Sequence, residues 1–208
     1  MLRGVLAQCA TAVRVLLVLT VLTGLVYPLG VWAVARLPGL QDKAEGSVIE
    51  RDGRPVGSAL IGIDPVAKDP KRDPWFHTRP SASADGPLGP ADPRVSGGSN
   101  AGTSNPELLT DVRARRAAIA ERESVPAARV PADAVTASAS GLDPHISPAY
   151  AALQVPRVAR ATGLPAAQVG QLVAEHTSGR ALGMLGEPVV HVLELNLDVR
   201  RLAPAGAS

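Results

Sequence analysis

The densest polar stretch of the chain is Thr136-Ala137-Ser138-Ala139-Ser140-Gly141-Leu142-Asp143-Pro144-His145-Ile146-Ser147-Pro148. Ser, Asp and His side chains together invite a hydrolase reading, with a serine nucleophile activated by an imidazole that a carboxylate orients. The spacing argues against it. A nucleophile elbow needs Gly-x-Ser-x-Gly on a strand-to-helix turn, and no glycine precedes Ser138 or Ser140 at that distance. Turn and capping roles account for Ser140, Asp143 and Ser147 equally well, and that reading is preferred. A second candidate is Gly97-Gly98-Ser99-Asn100-Ala101-Gly102, whose backbone amides could cradle a phosphate at the start of a helix. It lacks the Gly-Lys-Ser/Thr ending of a P-loop and follows a Pro-rich segment instead of a strand, so a tight turn is the better account. The four histidines, His77, His145, His176 and His191, have no zinc-type spacing, and Cys9 is the one cysteine; no metal site is expected. His176 and His191 fall on apolar faces, as core histidines with satisfied ring nitrogens do. No catalytic residue is assigned.

The elements that would position these groups begin with an uncharged run, Val15 to Ala35, bracketed by Arg14 and Arg36. Twenty-one helical residues rise about 30 Å, the thickness of a bilayer's hydrocarbon core. Tyr27 and Trp32 sit in its C-terminal half, and Pro28 and Gly30 mark a kink or a partner contact. A cleaved signal peptide ending at Ala33-Val34-Ala35 is the competing reading, which the length of the apolar run opposes. The basic residues on the two sides do not fix an orientation.

With 208 residues, the chain has room for this anchor and one further domain. The expected organisation is a short tail (1–14), a transmembrane helix (15–35), a linker (36–46), a water-facing domain (47–200) and a flexible tail (201–208). The net charge is +2, and Arg113, Arg115, Arg116 and Arg122 alternate with Glu107, Asp111, Glu121 and Glu123. That pattern reads as a solvated helix face and not as a nucleic-acid surface.

Asp52-Gly53 between two β-prone runs, 47–51 and 54–61, is a hairpin signal. Residues 64–103 are rich in Pro, Gly, Ser and Asp without a period, which implies an irregular region. Ser104 or Asn105 caps a helix with Leu108, Val112 and Ile119 inward. A second helix runs from about Pro148 to Thr162, between Ser147 and Gly163, with Pro156 expected to kink it. A third starts at Pro165 with Val169, Leu172, Val173 and His176 on one face. Leu193 to Val199 alternates apolar and polar, which predicts a strand with Leu193, Leu195, Leu197 and Val199 inward. The fold class expected is α/β (α+β), with strands near both ends and helices between.

In order along the chain, these segments resemble the C subunit of the Kdp potassium-transporting ATPase. The resemblance is carried by the anchor, Gly57 to Gly62, Phe76-His77-Thr78-Arg79-Pro80-Ser81-Ala82, Gly97 to Asn100 and Ser104-Asn105-Pro106-Glu107. It continues through Val135 to Pro148, Arg157 to Ala159, Leu182-Gly183 with Gly186-Glu187-Pro188, and Val192 to Leu197. The resemblance implies a non-catalytic accessory subunit at the plasma membrane with an extracytoplasmic domain. Its partners would be a channel-like A subunit that carries potassium, an ATP-hydrolysing P-type B subunit, a very small F subunit, and membrane lipid. The subunit would serve assembly and act as a catalytic chaperone that raises the B subunit's affinity for ATP.

No tightly bound cofactor is implied, and ATP enters only through the partner ATPase subunit. Ser138, Ser140, Gly141 and Asp143 are similar to a stretch compared loosely with a nucleotide-binding signature. Arg79, Asn100, Asn105, His145 and Asn196 are the other polar candidates in the shared segments. Ile63 departs from the family's usual Gln. A membrane-anchored hydrolase and a secreted binding module remain as alternatives.

Overall fold

A computed structural model describes residues 2–204. The chain divides between Val48 and Ile49 into two compact units. In the first, helix α1 (Leu2–Val21) passes through one π turn (Leu22–Val26) into α2 (Tyr27–Ala35). Together they form 34 residues of continuous helix, long and apolar enough to cross a membrane. At about 1.5 Å per residue this is roughly 50 Å, so the helix continues beyond the apolar run through residues 2–14. The π turn has a local cause. Pro28 has no N–H to give the carbonyl of Gly24, and its ring crowds that carbonyl, so the preceding turn widens. A short helix, α3 (Gln41–Ala44), follows.

The second unit opens with the hairpin of β1 (Val48–Arg51) and β2 (Arg54–Ser58). Asp52 and Gly53 have φ of 52° and 70°, as a two-residue turn of this kind requires. Helices α4 (Pro106–Glu123), α5 (Ala132–Val135), α6 (Pro148–Thr162), α7 (Ala166–Glu175) and α8 (Val192–Leu202) then alternate with very short strands. Those strands are β3 (His145–Ile146), β4 (Thr177–Ser178) and β5 (Val189–His191), arranged antiparallel in the order β3-β5-β4. The fold is α+β, with small sheets.

Several helix ends follow the sequence signals. Asn105 Oδ1 accepts from Glu107 N–H at 2.8 Å, and Ser147 Oγ accepts from Tyr150 N–H at 3.0 Å. Gly163, at φ 75°, closes α6, which runs through Pro156. The core is aliphatic, built from Ile119, Ile146, Val158, Val169, Val190 and Leu195 around the two buried aromatics Phe76 and Tyr150.

Three expectations are corrected. Residues 193–199 form helix α8 and not a strand: Val192, Leu195, Asn196 and Val199 are buried, a spacing of three and four. Strict alternation puts Leu193 and Leu197 on the side of a helix opposite Leu195 and Val199, so the run alone reads as a strand; only with the flanking Val192 and Leu202 does a spacing of three and four emerge, at 192, 195, 199 and 202. The charged face of α4 is not all solvated, because Arg115 and Glu123 lie in the protein interior at 7% and 4% exposure. The second run of the hairpin ends at Ser58, short of residue 61. Of the tail expected over 201–208, the first two residues are helical and those from 205 onward lie outside the described residues.

Candidate functional site

The Ser/Asp/His stretch folds into a knot of loops. Ser138 is buried; its N–H donates to Pro80 O at 2.8 Å, and its Oγ accepts from Gly141 N–H at 3.0 Å. The Ser138 and Ser140 hydroxyls lie 3.2 Å apart, and Ser140 Oγ accepts from Leu142 N–H at 3.1 Å. Both serines thus satisfy turn amides, and neither faces an imidazole.

Arg79 binds across this loop. Its Nη1 donates to Asp143 Oδ2 at 3.0 Å, and its Nη2 reaches the carbonyls of Thr136 and Ala137 at 3.3 and 3.4 Å. Asp143 also accepts from the N–H of His145 at 3.0 Å. Gly97 N–H donates to Ser140 O, and Gly62 N–H to Leu142 O, both at 2.8 Å. The cavity between Arg79, Gly141 and Asp143 measures about 10 Å³, far below the 300 Å³ or more typical of ligand pockets.

The remaining sequence candidates are dispersed. Asn100 is exposed, with φ 51° and its amide donating to Gly98 O at 3.3 Å. Asn105 is the α4 cap described above. His145 leads away from the knot: its Nε2 lies 3.2 Å from His191 Nδ1, and His191 Nε2 lies 2.9 Å from Ser178 Oγ. Partial burial, then the neighbouring His145, push His191 below its ordinary value. His176 pairs with Asp198 at 2.9 Å. His176 and His191 are therefore satisfied but half-exposed, and do not belong to the core.

Asn196 is buried on α8. Its amide accepts from Phe76 N–H at 2.7 Å and donates to Phe76 O at 2.8 Å. Gln154 on α6 does the same for the next residue, accepting from His77 N–H at 2.8 Å and donating to His77 O at 3.2 Å. Two side-chain amides thus replace a neighbouring strand for the extended segment 75–78.

Around that segment lies a buried ionic cluster that no short motif announces. His77 Nδ1 is 2.7 Å from Asp64 Oδ1 and His77 Nε2 is 2.5 Å from Asp73 Oδ2, so both ring nitrogens are engaged by carboxylates. Arg157 Nε donates to both oxygens of Glu123, at 3.1 and 3.0 Å. Its Nη1 donates to the carbonyls of Asp73 and Trp75, at 2.8 and 2.9 Å. Arg122 links Glu123 to the Tyr150 hydroxyl, each contact 2.8 Å. Two guanidinium groups (Arg122, Arg157) and the His77 ring thus meet three carboxylates (Asp64, Asp73, Glu123).

Burial alone would raise the Asp73 carboxyl. The His77 hydrogen bond, then the charges of His77 and Arg157 and the Trp75 N–H, outweigh it and hold the group below its ordinary value. Burial also pushes the Tyr150 hydroxyl up. The cluster floors a cleft of about 820 Å³ with Lys71, Arg72 and Arg160 at its rim. The sequence reading did not single out Asp64, Asp73, Glu123, Gln154 or Arg157 as members of such a cluster. The sequence distances from Asp73 to Arg157 hide the cluster; His77 and Arg157 fall within shared segments, but the spacing of those segments does not bring them together. Among the described residues, no group of three His, Cys, Asp or Glu side chains is arranged to hold a metal ion.

A family model described as the c chain of K+-transporting ATPases matches residues 9–201. A Kineococcus radiotolerans protein named as a potassium-transporting ATPase KdpC subunit is 51% identical over 203 residues, covering 98% of each chain. A Polaromonas naphthalenivorans protein of the same name is 52% identical over 190 residues, covering 91% of this chain and 92% of its own. A Mycobacterium tuberculosis protein, also so named, is 46% identical over 94% of this chain and 98% of its own. With a helix of membrane-crossing length, an α+β unit held by internal ion pairs, and likeness along nearly its whole length, the chain belongs to the KdpC family, the c chain of potassium-transporting ATPases.

Proposed function

We propose that this chain is a non-catalytic accessory subunit of a potassium-transporting P-type ATPase complex. In this reading it serves assembly and raises the ATP affinity of the ATP-hydrolysing subunit. Its partners are that B subunit, the channel-like A subunit and the small F subunit. The α1–α2 helix anchors it as a single pass, and the α+β unit lies on the extracytoplasmic side.

The observation that carries the reading is that most polar residues singled out in the shared motifs, Ser138, Ser140, Arg79, Asp143 and Asn196 among them, are engaged within the protein. Ser138, Ser140, Asp143, Asn196 and the two Nη groups of Arg79 make hydrogen bonds to neighbouring segments, while the buried Arg79 Nε has no partner among the described residues. Such a unit suits a rigid cap beside the potassium entrance better than a nucleotide site, and its effect on ATP use is then indirect.

The test is an affinity pull-down of the tagged chain from native membranes in mild detergent, followed by mass spectrometry. Recovery of a P-type ATPase and a channel-like potassium subunit is expected; recovery of the chain alone, while other complexes survive, overturns the reading. Topology is tested separately. In sealed right-side-out vesicles an extracytoplasmic domain is digested by added protease, and survival would place it on the other side.

A further inference from the structure

The cleft of about 820 Å³ above the ionic cluster falls within the range of small-molecule sites, about 300–1,000 Å³. Its charges divide into two groups. At the floor the carboxylates are taken, Asp64 and Asp73 by the His77 ring and Glu123 by Arg122 and Arg157. At the rim Lys71, Arg72 and Arg160 are exposed and form no ion pair among the described residues. Glu121 is the one carboxylate lining the cleft outside the cluster.

Exposed lysines and arginines need no explanation when they are scattered. These three come from two separate elements, the turn Pro70–Arg72 and helix α6, and meet at one opening. A buried tie holds the two elements together. Arg157, one helical turn before Arg160, donates to the carbonyls of Asp73 and Trp75 at 2.8 and 2.9 Å. The segment that carries Lys71 and Arg72 is thereby fastened to the helix that carries Arg160. Pro65, Val66, Ala67, Leu88 and Pro90 supply apolar wall. A cleft with charges of one sign at its mouth and low-dielectric walls concentrates ions of the opposite sign.

The rim also selects among anions. Three cations against one carboxylate favour a dianion over a monocarboxylate. Guanidinium groups match the oxygens of a phosphate, which carries close to two charges at pH 7. No Trp, Tyr or Phe lines the cleft, so a nucleobase has nothing to stack on and a nucleotide is disfavoured.

We propose that this cleft binds a phosphate dianion between Lys71, Arg72 and Arg160. Inorganic phosphate and the phosphomonoester head group of phosphatidic acid share that chemistry, and the test separates them. The full chain in phosphatidylcholine nanodiscs is titrated with radiolabelled inorganic phosphate by equilibrium dialysis. Saturable binding, with slower hydrogen exchange over residues 66–73 and 157–161, assigns the free anion. Slower exchange over the same residues only in discs that contain phosphatidic acid, without dialysable phosphate binding, assigns the lipid head group. Absence of both signals, or phosphate binding no tighter than that of chloride, overturns the site, since the rim then holds only a diffuse counter-ion atmosphere.

The Arg72→Gln, Arg160→Gln double variant alters two exposed side chains, so its thermal unfolding is expected to match the parent's. Its affinity for the phosphate source is expected to fall about tenfold or more. Unchanged affinity overturns the site.

Discussion

Asn196 on α8 grips the backbone of Phe76 from both sides, accepting its N–H at 2.7 Å and donating to its carbonyl at 2.8 Å. Both residues are buried, so neither backbone group has water as a substitute. Asn196→Ala leaves a buried donor and a buried acceptor unpaired, at about 1–3 kcal/mol for each. The expected loss is about 2–4 kcal/mol in chemical denaturation of the purified chain. Asn196→Asp keeps the acceptor but turns a carboxylate oxygen toward the Phe76 carbonyl, so it is expected to be no better than the alanine. A loss below 0.5 kcal/mol, a threshold near the ordinary scatter of surface substitutions, would refute the clamp.

Arg157 joins the irregular 73–75 segment to α4 through a guanidinium whose donors point three ways: to Glu123, to the carbonyls of Asp73 and Trp75, and to Gln154 Oε1 at 3.0 Å. A lysine ammonium is a point charge and cannot span that fork. Arg157→Lys is therefore expected to be destabilising nearly as much as Arg157→Ala, by about 1–3 kcal/mol for each buried acceptor left unpaired, because the Asp73 and Trp75 carbonyls lose their donor and Glu123 keeps only Arg122. Glu123→Gln, Arg157→Met tests the coupling: the double variant is expected to be more stable than Arg157→Met alone. An equal effect of Glu123→Gln in the parent and in Arg157→Met would show the two groups to be energetically independent.

The pH dependence has two components with a definite sign. His191 has a folded pKa below its unfolded one, so the unfolded chain takes up the proton first. Its contribution is present above pH about 6.5 and declines as pH falls from there towards the depressed folded value. His145, His176, Glu194 and Ser178 surround the ring, and Glu194 opposes the shift. Melting curves between pH 5 and 7.5 are expected to fall less steeply towards acid for His191→Asn than for the parent. Asp73 acts lower: its stabilisation holds above pH about 3.8 and is lost as pH falls through its depressed value. Asp73→Asn is expected to flatten the acid limb, and a parallel limb would refute the assignment.

How much of this was legible in the sequence depends on how local the signal is. The Asp52-Gly53 hairpin, the Asn105 and Ser147 caps and the Gly163 stop each need only a few neighbouring residues, and each appears as read. Residues 193–199 misled because alternation within seven residues is a strand signal; contact of the 192, 195, 196 and 199 face with Phe76 and the core overrides it. The two- and three-residue strands β3, β4 and β5 are too short to carry a period at all. Glu123 and Arg115 were read as solvated because charge is ordinarily exposed. Their burial depends on partners such as Arg157 and Val135, which are distant in sequence. The role of Arg79 and Asp143 as a mutual pair follows from the loops meeting in space, which no spacing encodes.

Gly62 offers the sharpest test of that meeting. It has no left-handed backbone to explain a glycine. A Cβ built there would lie within van der Waals radii of the Asp143 carbonyl carbon, 2.9 Å away, and closer still to its oxygen. The obstructing atoms are backbone, which cannot rotate aside, and Gly62 N–H is hydrogen-bonded to Leu142 O at 2.8 Å. Gly62→Ala must therefore push the 142–143 segment of the knot outward and stretch the Arg79–Asp143 pair. Overpacking of this kind costs about 1–3 kcal/mol. Gly97 makes the matched control, because a Cβ there meets nothing within 4 Å although its N–H bonds to the same loop. Gly97→Ala is expected to change stability by less than about 0.5 kcal/mol. Hydrogen exchange over residues 137–145 separates the two, faster in Gly62→Ala and unchanged in Gly97→Ala. Equal exchange in both would mean that the loop contact through Gly62 does not hold the knot together.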